Sequence, residues 1–140
     1  MGHKLFVGFA CCLVASTVYP QTTDNRTIIG AGNEFLSAGS FAIRMGQYDE
    51  GIRLTHLGLT RYQPSQDDRA SALSNLCAAH AAKVEPDIAI PYCDESIDMN
   101  DRDWRAFVNR SYAYFLKGML TKAEESLVLA ADINPEAKQV

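Results

Sequence analysis

Large apolar and small residues recur at helical spacing along the C-terminal part of the chain. The segment Phe107–Asp132 has a helix-forming composition, yet Ser111, Gly118, Ala123 and Ala130 stand among its large apolar residues. Glycine is unfavourable inside a helix and common at a helix end, so Gly118 predicts a turn. The other small residues allow two helix backbones to approach each other, because an added methyl group would overpack such a contact. This pattern predicts two antiparallel helices that pack closely.

The same pattern occurs three times. A shift of 34 residues aligns 70–101 with 104–135 without gaps, and seven of the 32 positions are identical. An upstream copy aligns Gly46 with Gly118 and is four residues longer, with the surplus just before the second copy. Four residues are about one helical turn, so we expect the second helix of the first copy to be one turn longer. Each helix pair cannot bury its apolar face alone, which predicts that the copies stack.

In this repeat the chain resembles the tetratricopeptide repeat (TPR) family, whose 34-residue unit forms two antiparallel helices. The third unit carries the family signature at Phe107, Ser111, Tyr114, Gly118, Ala123, Leu127, Ala130 and Pro135. The first unit carries it at Phe35, Gly39, Gly46, Tyr48, Gly51 and Gly58. The second unit departs from it, with Val84 in place of the turn glycine and with Pro86 and Pro91 in its second helix. Pro86 suits a first helical turn, whereas Pro91 is expected to kink or loosen the helix.

The N-terminal segment differs from the repeats. Lys4 is followed by the apolar run Leu5–Val18 and then by Pro20, which is typical of a secretory signal peptide. The run is shorter than the stretch of about 20 residues that spans a membrane. An uncleaved anchor or a core helix is the alternative interpretation.

The resemblance and this segment together imply an all-α protein, an α-solenoid of three TPR helix-turn-helix units with about six to seven helices, after a signal segment. The predicted organisation is a signal peptide at 1–20, a linker at 21–31, a TPR domain at 32–135 with units 32–69, 70–103 and 104–137, and a C-terminal tail at 136–140.

Composition and charge exclude several functions. The chain has 140 residues and a formal net charge of −4, without a basic run, which argues against nucleic acid as a partner. Its histidines are scattered, and no motif for catalysis, metal binding or cofactor binding is present. We therefore expect a protein that is not an enzyme and needs no cofactor. The acidic residues Asp94, Glu95 and Asp98 are interpreted as a solvated helix face.

Two cysteines, Cys77 and Cys93, lie outside the N-terminal segment, one on each helix of the second unit. The resemblance implies that both point into the interior between these helices. Two interpretations stay open: a pair of reduced, buried thiols, or a disulfide, which an exported protein favours.

TPR units are interaction modules whose first helices line a concave groove. The resemblance therefore implies an exported adaptor, periplasmic or secreted, that binds a peptide or helix of a partner protein. The residues expected to face this groove are Leu36, Ser40, Ile43, Ser74, Asn75, Ala78, Asn109, Tyr112 and Phe115. Some family members hold a terminal carboxylate with lysine, arginine and asparagine there. The aliphatic, small and aromatic residues here favour an apolar segment, with asparagine hydrogen-bonding its backbone.

The alternative function is a structural module that acts by self-association without a dedicated groove. The last helix offers Leu120, Leu127, Val128, Leu129 and Ile133, which is more than one buried stripe needs. Part of this surface is expected to face water and to contact a second copy or another protein. No stable membrane span is expected after removal of the signal segment.

Export predicts a processed N-terminus. Mass spectrometry of the native protein should find a chain that begins between Thr17 and Thr22, because the apolar run ends there. An intact Met1 on a cytosolic protein would contradict export.

Overall fold

A computed structural model describes residues 33–135 of the chain. The described part consists of six helices and contains no strand. The helices are α1 (Glu34–Arg44), α2 (Tyr48–Arg61), α3 (Gln66–Ala82), α4 (Pro86–Met99), α5 (Trp104–Leu116) and α6 (Leu120–Ile133). The predicted signal peptide, linker and C-terminal tail lie outside the described residues.

The helices form three hairpins that stack in chain order. Within the hairpins α1 packs on α2, α3 on α4 and α5 on α6, and the junctions between hairpins are formed by α2 with α3 and α4 with α5. The first helices also contact one another, α1 with α3 and α3 with α5. They therefore lie side by side along one surface of the stack. No described helix is both long and apolar enough to cross a membrane.

Side-chain caps start the first helix of each hairpin. Asn33 accepts a hydrogen bond from the backbone N–H of Leu36, Ser65 from that of Asp68, and Asp103 from that of Arg105. Such caps satisfy N–H groups that have no partner within the helix. The second helices have no side-chain cap, and each follows the preceding helix after a short turn.

Close helix contact without large side chains holds each hairpin together. In the first hairpin a Cβ added at Gly39 would lie 2.5 Å from Thr55 Oγ1, and one added at Gly51 would lie 2.4 Å from Ile43 Cγ1. In the third hairpin Ser111 and Ala123 are buried at the corresponding positions. The small residues that the sequence pattern singled out are therefore at the contact between the paired helices.

The second hairpin carries a covalent link at this contact. Cys77 on α3 and Cys93 on α4 form a disulfide, with their Cα atoms 5.3 Å apart. Both residues are fully buried. The disulfide closes a loop with a sequence separation of 16 residues. In the chain-entropy description such a loop stabilises the folded state by roughly 3 kcal/mol.

The extra four residues of the first unit do not lengthen its second helix, so that expectation was wrong. Helices α2, α4 and α6 each have 14 residues, whereas α3 has 17 and exceeds both α1 and α5. The surplus lies in the first turn of α3, because the α2–α3 and α4–α5 connections have four residues each. Pro64 disfavours the helical conformation at the preceding residue, and Ser65 caps a new helix.

Pro91 does not end the helix in which it lies. Helix α4 runs from Pro86 through Pro91 to Met99. Pro86 lies in the first turn, where a backbone N–H has no partner within the helix, so proline costs no helical hydrogen bond there. Pro91 is exposed, so water can reach the carbonyl that loses its helical donor.

The turns between paired helices share one backbone conformation. Gly46 and Gly118 have φ values of 75° and 76°, and Val84 takes the equivalent position in the second hairpin with a φ of 61°. This left-handed region costs a residue with a Cβ about 1–2 kcal/mol. Val84 is 66% exposed, so little packing compensates for the strain.

Replacing Val84 by glycine should therefore stabilise the protein. The relief of strain outweighs the greater flexibility of glycine in the unfolded chain, and we expect a net gain of about 0.5–1 kcal/mol. The matched control, Gly118→Val, should lose about 1 kcal/mol, because it introduces the same strain in an equally open turn. Urea unfolding of the three proteins measures both effects. A loss of stability in Val84→Gly would contradict the strain.

Candidate partner-binding groove

Three adjoining hollows form one groove along the surface of α1, α3 and α5. Their volumes are about 540, 510 and 320 Å³, each large enough for one or more side chains. The first and second hollows share Ser40 and Arg44, and the second and third share Trp104 and Arg105. Asn75 lines all three. The hollows are therefore sections of one continuous channel with Asn75 at its centre.

Most residues expected in the groove lie in it. The hollows are lined by Leu36, Ser40, Ile43, Ser74, Asn75, Ala78 and Asn109. Tyr112 and Phe115 line none of the three hollows; they are exposed, with 48% and 60% of their surfaces accessible. The side chains that do line the groove come from the first helices of all three units.

Sequence reasoning missed three arginines. Arg44 lines the first two hollows, Arg105 lines the second and third, and Arg102 lines the third. Arg44 is four residues after Ser40, and Arg105 is four residues before Asn109, so each shares a helix face with a residue that was expected in the groove. That spacing was the available signal. The expectation of a groove without charged residues was therefore wrong.

The groove is net positive, because three arginines line its hollows and only two aspartates, Asp68 and Asp103, do so. Arg44 donates a 2.7 Å hydrogen bond to Ser40 Oγ, and both side chains stay accessible. The Arg105 guanidinium carbon lies 4.7 Å from the centroid of the Trp104 ring, a cation–π geometry that leaves its outer edge open. Its side chain is 69% exposed and lies 4.0 Å from Asp103.

The acidic residues beside the groove act as helix caps or bond to caps. Asp103 Oδ1 accepts a 3.1 Å hydrogen bond from the backbone N–H of Arg105 at the start of α5. Asp68 Oδ2 accepts a 2.8 Å hydrogen bond from Ser65 Oγ at the start of α3. Both carboxylates keep their negative charge, so the positive character of the groove depends on the three arginines outnumbering them.

The two asparagines that the sequence placed together in the groove have different roles. Asn109 Nδ2 donates to Ser74 O at 3.1 Å and to Ser74 Oγ at 3.2 Å, which ties α5 to α3. Asn75 makes no side-chain hydrogen bond to any residue within the described range. Its amide is half-buried, with one acceptor and two donors available to a ligand. Asn109 is therefore structural, and Asn75 is the polar group open to a partner.

The main cluster of titratable residues lies outside these hollows. His80 Nδ1 lies 2.8 Å from Glu85 Oε2, and this hydrogen bond, with help from Lys83, holds the pKa of the Glu85 carboxyl below its ordinary value. Lys83 also bonds Asp49 at 2.7 Å, which raises the pKa of its ammonium group. Of these contacts, the Lys83–Asp49 bond joins the first hairpin to the second. Within 33–135, no three potential ligands lie close enough to hold a metal ion.

The fold is that of tetratricopeptide-repeat domains. The solved structure of the first TPR of Spaghetti (RPAP3), bound to HSP90 peptide SRMEEVD, superposes with a TM-score of 0.64 at 20% identity. The match covers 75% of this chain and 82% of that chain. The NMR structure of the first TPR domain of the human RPAP3 protein gives the same TM-score, identity and coverage. The sequence matches no protein-family model and no curated protein. The predicted TPR-type fold and all-α class are confirmed.

The different roles of Asn75 and Asn109 can be distinguished by the effect of each substitution on the free energy of unfolding. Asn109→Ala should lower the free energy of unfolding by about 1–2 kcal/mol, because the buried Ser74 loses its partner. Asn75→Ala should change it by less than about 0.5 kcal/mol, because no internal bond is lost. Chemical denaturation of both variants tests this. Equal destabilisation by the two changes would contradict the assignment.

Proposed function

We propose that this protein is a protein-binding adaptor whose groove holds an extended peptide with both acidic and apolar side chains. The proposal rests on the continuous groove, which has at its centre an Asn75 amide that bonds no residue within 33–135, and an arginine on each side. The α1, α3 and α5 surfaces supply these groups from all three hairpins. A ligand must therefore be long enough to cross several helices, which a peptide is.

Asn75 suits the backbone of such a peptide. Its amide can donate to a carbonyl and accept from an N–H, which is what an extended chain presents along its length. It lines all three hollows, so one peptide group can reach it while neighbouring side chains enter the hollows on either side. Backbone recognition at the centre gives affinity without requiring one particular side chain.

The arginines suit acidic side chains, and the aliphatic residues between them suit apolar ones. A guanidinium binds a carboxylate through two parallel hydrogen bonds, which are stronger than neutral ones. Leu36, Ile43 and Val108 provide apolar contact in the first and second hollows. Charge at the rim and apolar contact between the arginines together favour a peptide of mixed composition over a wholly apolar segment.

The peptide held by the neighbouring TPR structure has this mixed character. The sequence SRMEEVD contains three acidic residues together with methionine and valine. It serves here as a chemical probe of the groove. The natural partner of this chain is a protein that presents a segment of similar chemistry.

We also propose that the protein acts after export. The basic start, the apolar run Leu5–Val18 and the disulfide between Cys77 and Cys93 all support this. Disulfides persist in oxidising compartments and are rare in the cytosol of most organisms. The adaptor would then serve partners in the periplasm or outside the cell.

A structural module that acts by self-association is the second candidate. The exposure of Leu120, Leu127, Val128 and Leu129 on α6 favours it, as the sequence led us to expect. Groove substitutions separate the two candidates. They should abolish peptide binding in an adaptor without changing its oligomeric mass.

Peptide binding can be measured by fluorescence polarisation with labelled SRMEEVD. We expect a dissociation constant of tens to hundreds of micromolar, which corresponds to about −5 to −6 kcal/mol. The counterpart SRMQQVN, with an amidated C-terminus, has no carboxylate and should bind at least about tenfold more weakly and with less dependence on salt, because it cannot pair with the arginines.

Variants of the protein complete this test. Arg44→Ala with Arg105→Ala should weaken SRMEEVD binding by about tenfold, and Asn75→Ala by several-fold. Arg61→Ala, an exposed arginine near the end of α2, is the matched control and should bind as the wild type does. Absence of saturable binding up to about 1 mM would contradict the proposed groove function, as would equal binding by all variants.

A further inference from the structure

The hollows at the two ends of the groove differ in charge. The first hollow contains one arginine, Arg44, and one aspartate, Asp68, so its formal charges offset each other. The third contains Arg102 and Arg105 against Asp103 alone, which leaves it net positive. A carboxylate is attracted to excess positive charge, so the third hollow favours an acidic side chain more than the first does.

The same two hollows differ in their apolar surface. Leu36, Phe41 and Ala72 line the first hollow, and Phe41 is 58% exposed. No aliphatic residue of 33–135 lines the third. Its one aromatic ring belongs to Trp104, and the Arg105 guanidinium lies over that ring, 4.7 Å from its centroid. An apolar side chain therefore removes more apolar surface from water in the first hollow than in the third.

Arg102 supplies a positive charge to the third hollow alone. Its side chain is exposed, and its guanidinium forms no ion pair with any residue of the described range. Its backbone N–H donates a 3.1 Å hydrogen bond to Asn100 Oδ1, which fixes the α4–α5 connection that carries it. The connection therefore presents an arginine that is available to a carboxylate of the ligand.

The distance between the two hollows follows from the residues that they share. Ser71 and Asn75 of α3 line both hollows, and residues four apart are neighbours on one face of a helix. The first hollow extends from this turn of α3 to α1, and the third extends from it to α5. Their centres are therefore separated by about one helix diameter, roughly 10 Å. An extended chain rises about 3.3 Å per residue, so about three residues cover this distance.

We propose that the groove recognises two side chains of its peptide at separate subsites, an apolar one against Phe41 in the first hollow and an acidic one against Arg102 in the third. The two side chains are about three residues apart in the peptide, and Asn75 lies between the subsites. This inference rests on the proposed peptide-binding function and adds which hollow receives which side chain. Phe41 and Arg102 determine specificity, since each of them lines one hollow only.

Paired substitutions in the protein and in the peptide test the two subsites. The peptides are SRMEEVD, SRAEEAD, which has no large apolar side chain, and the amidated SRMQQVN, which has no carboxylate. Arg102→Ala should weaken binding of SRMEEVD and SRAEEAD by about fivefold and leave SRMQQVN unchanged. Phe41→Ala should weaken binding of SRMEEVD and SRMQQVN by about threefold and leave SRAEEAD unchanged. Fluorescence polarisation measures the tighter complexes, and NMR titration measures the weaker ones.

Three peptides of identical composition test the separation of the subsites. SFESGSGS, SFSGESGS and SFSGSGSE, each acetylated and amidated, place phenylalanine and glutamate one, three and six residues apart. SFSGESGS should bind at least about threefold more tightly than the other two, because only its two side chains reach both subsites at once. Arg102→Ala should abolish this advantage, and so should Phe41→Ala. NMR titration of the wild-type protein and of both variants provides the measurement.

Met45→Ala and Arg61→Ala are the matched controls and should bind every peptide as the wild type does. Met45 is 62% exposed one turn after Phe41, and neither control residue lines any of the three hollows. Failure of SRMEEVD to bind the wild-type protein would overturn the proposed function and this inference together. Normal binding of SRMEEVD overturns this inference alone if each variant weakens all peptides equally, or if SFSGESGS has no advantage. Far-UV circular dichroism confirms that the variants, all at exposed sites, are folded.

Discussion

The close approach of two helix backbones within each hairpin is the contact on which the rest of the structure depends. A single added Cβ at Gly39 would fall 2.5 Å from Thr55 Oγ1, which leaves no room even for alanine. Because the paired helices meet over small residues, their larger apolar side chains are available for the junctions between hairpins. The first helices can then lie side by side and form the groove. The groove is thus a consequence of packing inside each hairpin.

Sequence reasoning found this arrangement because small residues at fixed spacing report a backbone contact directly. It located the hairpins, and seven of the nine residues that it named for a groove line the hollows described above. It misplaced the four extra residues of the first unit, because local residues outside the repeat pattern determine where α3 begins. Pro64 and the N-cap Ser65 start α3 one turn early, so the extra turn belongs to α3. The family pattern contains no information about these two residues.

The roles of the two asparagines could not be separated from sequence. Asn75 and Asn109 occupy the same position in successive units, so any argument from the repeat treats them alike. They differ because Asn109 has Ser74 of the preceding unit within reach, across 35 residues of sequence. Arg44 and Arg105 were missed for a simpler reason: only the positions of the family pattern were considered, and not the residues one turn away on the same helix face.

The disulfide makes the middle hairpin unlike its neighbours. In a stack of repeats, each unit is stabilised by its own contacts and by those to adjacent units, so loss of structure can start at either end and spread inwards. The outer hairpins have no covalent link among their described residues, whereas α3 and α4 remain joined through Cys77 and Cys93. Asn75, at the centre of the groove, lies on α3. The part of the groove nearest the covalent link is therefore the last to lose its shape when the ends fray, and a bound chain would be released from its ends towards its middle.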